Sequence, residues 1–332
     1  MRTLVSAVLI ASAVAAGSAA AQDFRPAVVF DMGGKFDKSF NEGVWNGVKR
    51  FTDETGVEVM EFEVTNAAQR EQAITRMAQR GATLVLGVGF AQADAIDKVA
   101  AEYPDKEFAI IDVSWLDRPN LRQYAFKEHE GSYLVGVAAA EASQSGTVGF
   151  VGGMDIPLIR KFACGYKQGV LAANPDATVL ENMTGTTPAA WNDPTKGAEL
   201  AQSQIDRGAD VVYHAAGGTG LGVIRATADA GKLAIGVDSD QYSVAPGSVL
   251  TSMLKRVDNA AYDTLMDAYN GEFSAGINVL GLSEEGVDYV ADENNADVLP
   301  DDIRAAVEEA KANIIAGDVA VHNYEDDQSC PI

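Results

Sequence analysis

Strand-like and helix-like runs alternate along this chain, and one long stretch of the alternation occurs twice. Arg80-Gly81-Ala82 opens a strand, a glycine-containing loop, a helix and a second strand that ends at Asp112. Arg207-Gly208-Ala209 opens the same series: a strand over 211–214, the loop Gly217-Gly218-Thr219-Gly220, a helix to Gly231, and a strand over 233–237 followed by Asp238. Upstream, Val29-Phe30-Asp31-Met32-Gly33-Gly34 is echoed by Gly149-Phe150-Val151-Gly152-Gly153. Strands separated by helices of several turns form βαβ units and hence parallel sheets, with right-handed crossovers. The spacing predicts an amphipathic helix over 39–55, with Val44, Val48 and Phe51 on one side, and a helix over 257–270 that returns the chain to its first half. The duplication implies two α/β lobes, each a parallel sheet flanked by helices, joined near 142–147.

A chain of 332 residues is long enough for two lobes, each with its own core. Its formal charge of −23 opposes binding to nucleic acid or to anionic lipid. The same charge is compatible with a small neutral ligand or a partner carrying a basic patch. Arg2, the apolar run from Leu4 to Ala16 and the small residues Ala19-Ala20-Ala21 read as a secretory signal over residues 1–21, cut after Ala21. With no Cys beside that cut, the expectation is an unanchored protein, free in the periplasm. The two cysteines, Cys164 and Cys330, are then in a disulfide-permissive compartment. A bridge between them would tie the C-terminal tail to a central helix and stabilise by about 4–5 kcal/mol in the chain-entropy model. Two separate buried thiols are the other reading.

Motifs for chemistry are largely missing. There is no phosphate-binding loop of the G-x-x-x-x-G-K-[ST] type, no H-E-x-x-H and no G-x-S-x-G. Val223 stands where a dinucleotide-binding fingerprint beginning at Gly218 would need its third glycine. His129, His214 and His322 are scattered, so neither a metal nor a cofactor is expected. Binding is better supported than catalysis, although an exported enzyme with a carboxylate-only mechanism stays open. Parallel sheets bind ligands beyond the carboxyl ends of their strands. Asp31, Phe90 with its preceding glycines, Asp112, Gly217, Gly218 and Asp238 all occupy such ends. Phe36 and Trp191 lie in polar loops where a flat ligand could stack, while Phe40 is expected to pack under its own helix. Each ring could instead plug a lobe, each aspartate could merely cap a turn, and Lys255 could be a surface lysine at a helix entry.

Several segments taken together resemble the basic membrane protein family of ABC-transporter substrate-binding proteins, the group that includes purine nucleoside receptors. They are Asp31-Met-Gly-Gly, Asp37-Lys-Ser-Phe-Asn41, Glu128-His-Glu-Gly-Ser-Tyr133, Gly152-Gly-Met-Asp-Ile-Pro157, Gly236-Val-Asp-Ser-Asp-Gln241 and Thr251-Ser-Met-Leu-Lys255. The resemblance implies a two-lobed type I periplasmic-binding-protein fold with three hinge crossings that closes on its ligand. It divides the chain into a first lobe of 25–142 with 252–277 and a second of 143–251 with 278–332. It also implies that Asp238 and Lys255 hold ribose hydroxyls beside the Gly217-Gly218 backbone, and that Phe36 and Trp191 clamp the base. Asn41 and Asp112 would read the purine edge, with Asp31 supporting that wall. The expected partner is an ABC permease, and the expected oligomeric state is a monomer. A free purine base, riboflavin or another flat heterocycle is the alternative ligand. A sugar-type transcriptional regulator shares the lobe plan, but here a leader occupies the place of its DNA-binding helices, and the acidic charge opposes DNA.

Overall fold

Apolar, β-branched runs become the inner strands of two sheets. In the computed structural model, which describes residues 24–332, β1 (Pro26–Phe30) is buried along its whole length. A parallel strand covered by helices on both faces has to be. There follow α1 (Phe40–Thr55), β2 (Met60–Glu63), α2 (Gln69–Gln79), β3 (Leu84–Gly87), α3 (Ala93–Glu102), β4 (Glu107–Ile111) and β5 (Leu121–Phe126). Val44, Val48 and Phe51 form the buried stripe of α1, as their spacing requires, and Gly56 ends the helix in the left-handed conformation. The next elements are α4 (Glu128–Ala142), β6 (Thr147–Met154), α5 (Pro157–Ala173), β7 (Thr178–Gly185), α6 (Pro194–Ile205), β8 (Val211–Ala215), α7 (Gly220–Asp229), β9 (Leu233–Asp238) and β10 (Val249–Lys255). The chain closes with α8 (Val257–Asn270), β11 (Gly276–Leu280), β12 (Val287–Tyr289), α9 (Asp301–Ala316) and α10 (Tyr324–Asp327). The leader expected over 1–21 lies outside the described residues.

The two sheets share one plan. The first runs β2-β1-β3-β4-β5-β11 with every neighbour parallel, and the second β7-β6-β8-β9-β10-β12, parallel except for β12 against β10. This is the two-lobed periplasmic-binding-protein architecture, and the chain passes between lobes three times, at 126–128, 255–257 and 280–287. In each lobe the fifth strand hands its following helix to the other lobe. Thus α4 leaves β5 and packs on α5, α9 and β10, while α8 leaves β10 and packs on α1.

The crossings fall at different places from those expected. The expected boundary puts residues 128–142 in the first lobe, yet α4 packs with the second. Its Tyr133–Ala140 segment is buried on every side, so it lacks the polar face that marks a lobe's outer helix. Residues 252–255 continue β10 in the second sheet, and β11 keeps residues 278–280 in the first. Glycines seat both handed-over helices. A Cβ on Gly47 of α1 would lie 2.1 Å from the Asp258 carbonyl oxygen, and one on Gly169 of α5 would lie 2.0 Å from that of Tyr133.

A single apolar cluster runs from Phe30 and Val44 in the first lobe through Leu134 to Phe150 and Tyr213 in the second. A second fills the space beneath α2 and α3 with Ile74, Met77, Ile96 and Val99. Cys164 and Cys330 are joined in a disulfide across a sequence separation of 166.

Candidate functional site

The strand ends of the two lobes face each other across a cavity. Asp31, Phe90, Asp112 and the α1 residue Asn41 line it from the first lobe, and Trp191, Gly217, Asp238 and Lys255 from the second.

The matched repeats place two aspartates in the same conformation. Asp112 follows β4 with φ 66°, and Asp238 ends β9 with φ 68°. The left-handed region disfavours most side chains but is tolerated by Asp, and here both kinks bring a carboxylate to the cavity wall. Lys255, the last residue of β10, is 2% exposed and meets Asp112 at 2.6 Å and Glu128 at 2.9 Å. Its ammonium lies 5.1 Å from the ring centroids of both Phe40 and Phe126. Burial works against that charge, but the carboxylates of Asp112, Glu128 and Asp238 outweigh it and hold the lysine pKa above its ordinary value. Lys255 is therefore a caged cation rather than a surface lysine.

Burial pushes the Asp238 carboxyl up to about 7, with Asp37 and Asp112 adding to the rise against Lys255 and Ser39. Burial likewise raises Asp37 to about 6, against the backbone N–H groups of Glu42, Asn41 and Ser39 that favour its charge. Asp37 caps the start of α1: its Oδ1 accepts from Ser39 N (2.9 Å) and Glu42 N (3.1 Å), and its Oδ2 from Asn41 N (3.1 Å) and Asn41 Nδ2 (3.2 Å). Asn41 is 4% exposed, and its Oδ1 has no donor among the described residues. A buried acceptor left open on a cavity wall is a place for a ligand N–H or O–H. Asp31 accepts Arg70 Nε at 3.1 Å and so stiffens that wall.

Trp191 closes a short 3-10 turn, Pro188–Trp191. Its ring rests on Gly153, where a Cβ would fall 2.1 Å from Cζ3. Gly217 adopts φ 55° and lines the cavity beneath Trp191. Gly218 does not line it: it sits behind, under the Trp191 carbonyl.

Phe36 also stands apart. Its side chain is 61% exposed and meets Trp45 edge-on, ring centroids 5.1 Å apart. The reason is local: once Asp37 caps α1, Phe40 turns inward and Phe36 outward. Phe40, expected under its own helix, lines the cavity where Phe36 does not. Leu158, Ile159 and Phe162 of α5 complete the apolar wall and were not among the expected residues. The strand-end rule points at them, since α5 follows the carboxyl end of β6, but their helical spacing reads equally well as core.

The lobes also touch directly. Ser39 donates its hydroxyl to Asp238, and Lys38 O accepts from Ser239 Oγ (3.1 Å) and Gln241 Nε2 (2.8 Å). The cavity is thus held in a closed arrangement by bonds between the lobes.

Comparison with known proteins agrees with this geometry. The family model described as "ABC transporter substrate-binding protein PnrA-like", Bmp, matches residues 24–323. The chain belongs to the Bmp family. Its relatives include the CD4+ T-cell-stimulating antigen of Listeria monocytogenes, 34% identical over 90% of this chain and 88% of the relative. The ABC transporter nucleoside-binding protein BmpA of Lactococcus lactis is 32% identical over 90% of this chain and 89% of its own length. A Pyrococcus abyssi relative at 35% identity, over 81% of this chain and 69% of its own length, is called a lipoprotein. An ABC-transporter solute-binding protein from Aeropyrum pernix superimposes with TM-score 0.83 at 30% identity, covering 92% of this chain and 95% of that one. Bmp-family membership makes this chain the substrate-binding component of an ABC transporter, working outside the cytoplasm.

Proposed function

We propose that this Bmp-family protein captures a purine nucleoside between its lobes and delivers it to an ABC permease. The observation that carries the reading is the make-up of the closed cavity. Phe40, Phe90 and Trp191 offer flat apolar surfaces for a base, while the Lys255 ammonium between Asp112 and Asp238 supplies a donor and acceptors suited to a vicinal diol. Asn41 Oδ1 stands open for a donor on the base edge. The nucleoside-binding name of the Lactococcus lactis relative supports the same class of ligand.

Delivery follows from differential affinity. The ligand stabilises the closed arrangement, and the permease distinguishes closed from open. We place the protein in the periplasm as a monomer, in keeping with an extracytoplasmic solute-binding family; the Pyrococcus abyssi relative is named a lipoprotein. Asp238→Ala tests the ribose assignment: guanosine affinity is expected to fall on the order of tenfold or more, the loss of one charged hydrogen-bonding partner. Unchanged affinity would remove Asp238 from the site. Competition by free guanine or riboflavin matching that of guanosine would shift the reading to a flat heterocycle without a sugar, and turnover of guanosine to free base would make the protein an enzyme.

A further inference from the structure

A line of buried charges leaves the cavity behind Lys255 and ends on the C-terminal strap. Asp112 meets Lys255 at 2.6 Å, Lys255 meets Glu128 at 2.9 Å, Glu128 meets Lys161 at 2.7 Å, and Lys161 meets Glu325 at 2.7 Å. The sign alternates at every step. Side-chain exposure is 6%, 2%, 0% and 5% along the first four members and reaches 39% only at Glu325. Among the described residues, the two ammoniums are the groups that compensate the charge of the buried Glu128. They outweigh the burial that opposes ionisation and bring its pKa to about 2.

The line passes through the hinge. Asp112 follows the first lobe's fourth strand, Glu128 stands just past the first crossing, and Lys255 stands just before the second. Lys161 of α5 also donates to the carbonyl of Phe126, the last residue of β5 (3.1 Å). On the outside, residues 318–332 form a strap bolted along one face of α5. Lys161 holds Glu325, Cys164 holds Cys330, and Gln168 accepts from His322 N (2.8 Å) and donates to His322 O (3.0 Å). Positions spaced by three and four share one face of a helix.

Charge balance decides what each member does. Lys161 serves two carboxylates and Glu128 serves two ammoniums. If Glu325 is removed, Lys161 retains Glu128 as its one carboxylate partner and draws it outward, so Lys255 is left to Asp112 and moves with it. An ammonium fixed by two carboxylates keeps its remaining N–H aimed at the cavity; one fixed by a single carboxylate does not. We propose that Glu128 and Lys161 are positioning residues for the Lys255 ammonium, and that Glu325 on the disulfide-bolted strap completes their balance, so that binding of ribose depends on a strap that does not line the cavity. This rests on the nucleoside reading above.

The test titrates guanosine and dideoxyguanosine, which lacks the diol, into wild type, Glu325→Gln and the double variant Cys164→Ser/Cys330→Ser. Guanosine binding is expected to weaken on the order of threefold to tenfold in both variants, the range for substitutions along a coupled network. Dideoxyguanosine binding is expected to stay level with wild type. Equal losses for the two ligands would reduce the strap to general stabilisation and overturn the proposal, as would no loss for either. Glu128→Gln, if it folds, is expected to show the same selectivity more strongly. Should wild type bind no guanosine, the nucleoside reading fails on its own, and a ligand-free measurement still decides the positioning. Buried ammonium protons exchange slowly, so nitrogen–proton correlation spectra of the lysine ammoniums resolve Lys161 and Lys255. Glu325→Gln is expected to shift both signals, and a Lys255 signal that does not move would overturn the proposal.

Discussion

Asp238 has the most consequential titration in the cleft. Its folded pKa of about 7 stands above the 3.8 of an ordinary aspartate, with burial as the chief cause. A raised acid binds more protons folded than unfolded, so its contribution to stability is complete below 3.8 and is lost as pH rises towards about 7. Asp37, raised to about 6, has the same sign. Denaturant unfolding of the ligand-free protein should therefore show stability falling over that window, with a shallower fall in Asp238→Asn; an unchanged slope in the variant would contradict the assignment. A diol donates to the ionised carboxylate, so nucleoside affinity should rise with pH up to about 7, by at most about tenfold per unit for a single proton. Trp191 makes a second test. Gly153→Ala puts a Cβ where the ring now rests, and displacing that wall should weaken guanosine binding on the order of tenfold, about 1.4 kcal/mol. Isothermal titration reads this directly, and wild-type affinity would mean the ring is not a wall. At this scale the sequence led to the cavity wall where strand ends carry a residue type suited to ligands, as with Asp31, Asp112 and Asp238, and where a polar loop carries a lone ring, as with Trp191. It misled where two phenylalanines four residues apart competed for one place, because the cap made by Asp37 decides which of Phe36 and Phe40 turns inward.

Glycines govern how the elements meet. The handed-over helix α4 lies so close to α5 that Cβ atoms on Gly136 and Gly169 would fall 2.3 Å and 2.0 Å from carbonyl oxygens of the facing helix. Backbone cannot yield as a flexible side chain does, so Gly169→Val should destabilise by about 2–4 kcal/mol, in the upper range for overpacked sites. A denaturant midpoint unchanged from wild type would show that the two helices can separate without cost. The alternation of strands and helices and the return of α8 to the first lobe were readable from periodicity and from the duplicated segments. The ownership of α4 was not. An amphipathic helix declares the sheet it covers through its polar face, and α4, buried all round, carries no such mark; only the packing of Tyr133–Ala140 on α5 and β10 assigns it.

The whole molecule is two copies of one α/β plan that exchange helices at two crossings and meet again at a third. That exchange explains why the hinge and the ligand site share residues: Lys255 is both the end of β10 and the cation of the cavity, and Glu128 pairs with it from the other crossing. Direct bonds across the cleft include those of Lys38 and Ser39 to Ser239, Gln241 and Asp238 and the ion pair of Asp112 with Lys255, and a ligand that bridges the lobes adds to them and shifts the population towards the closed arrangement. The most direct measurement is calorimetric titration of guanosine into mature protein that has been unfolded, stripped of any ligand and refolded. Tight one-to-one binding is expected. A folded sample that binds free guanine or riboflavin but takes up no guanosine would contradict the nucleoside assignment and leave a Bmp-family binding protein for a different flat ligand.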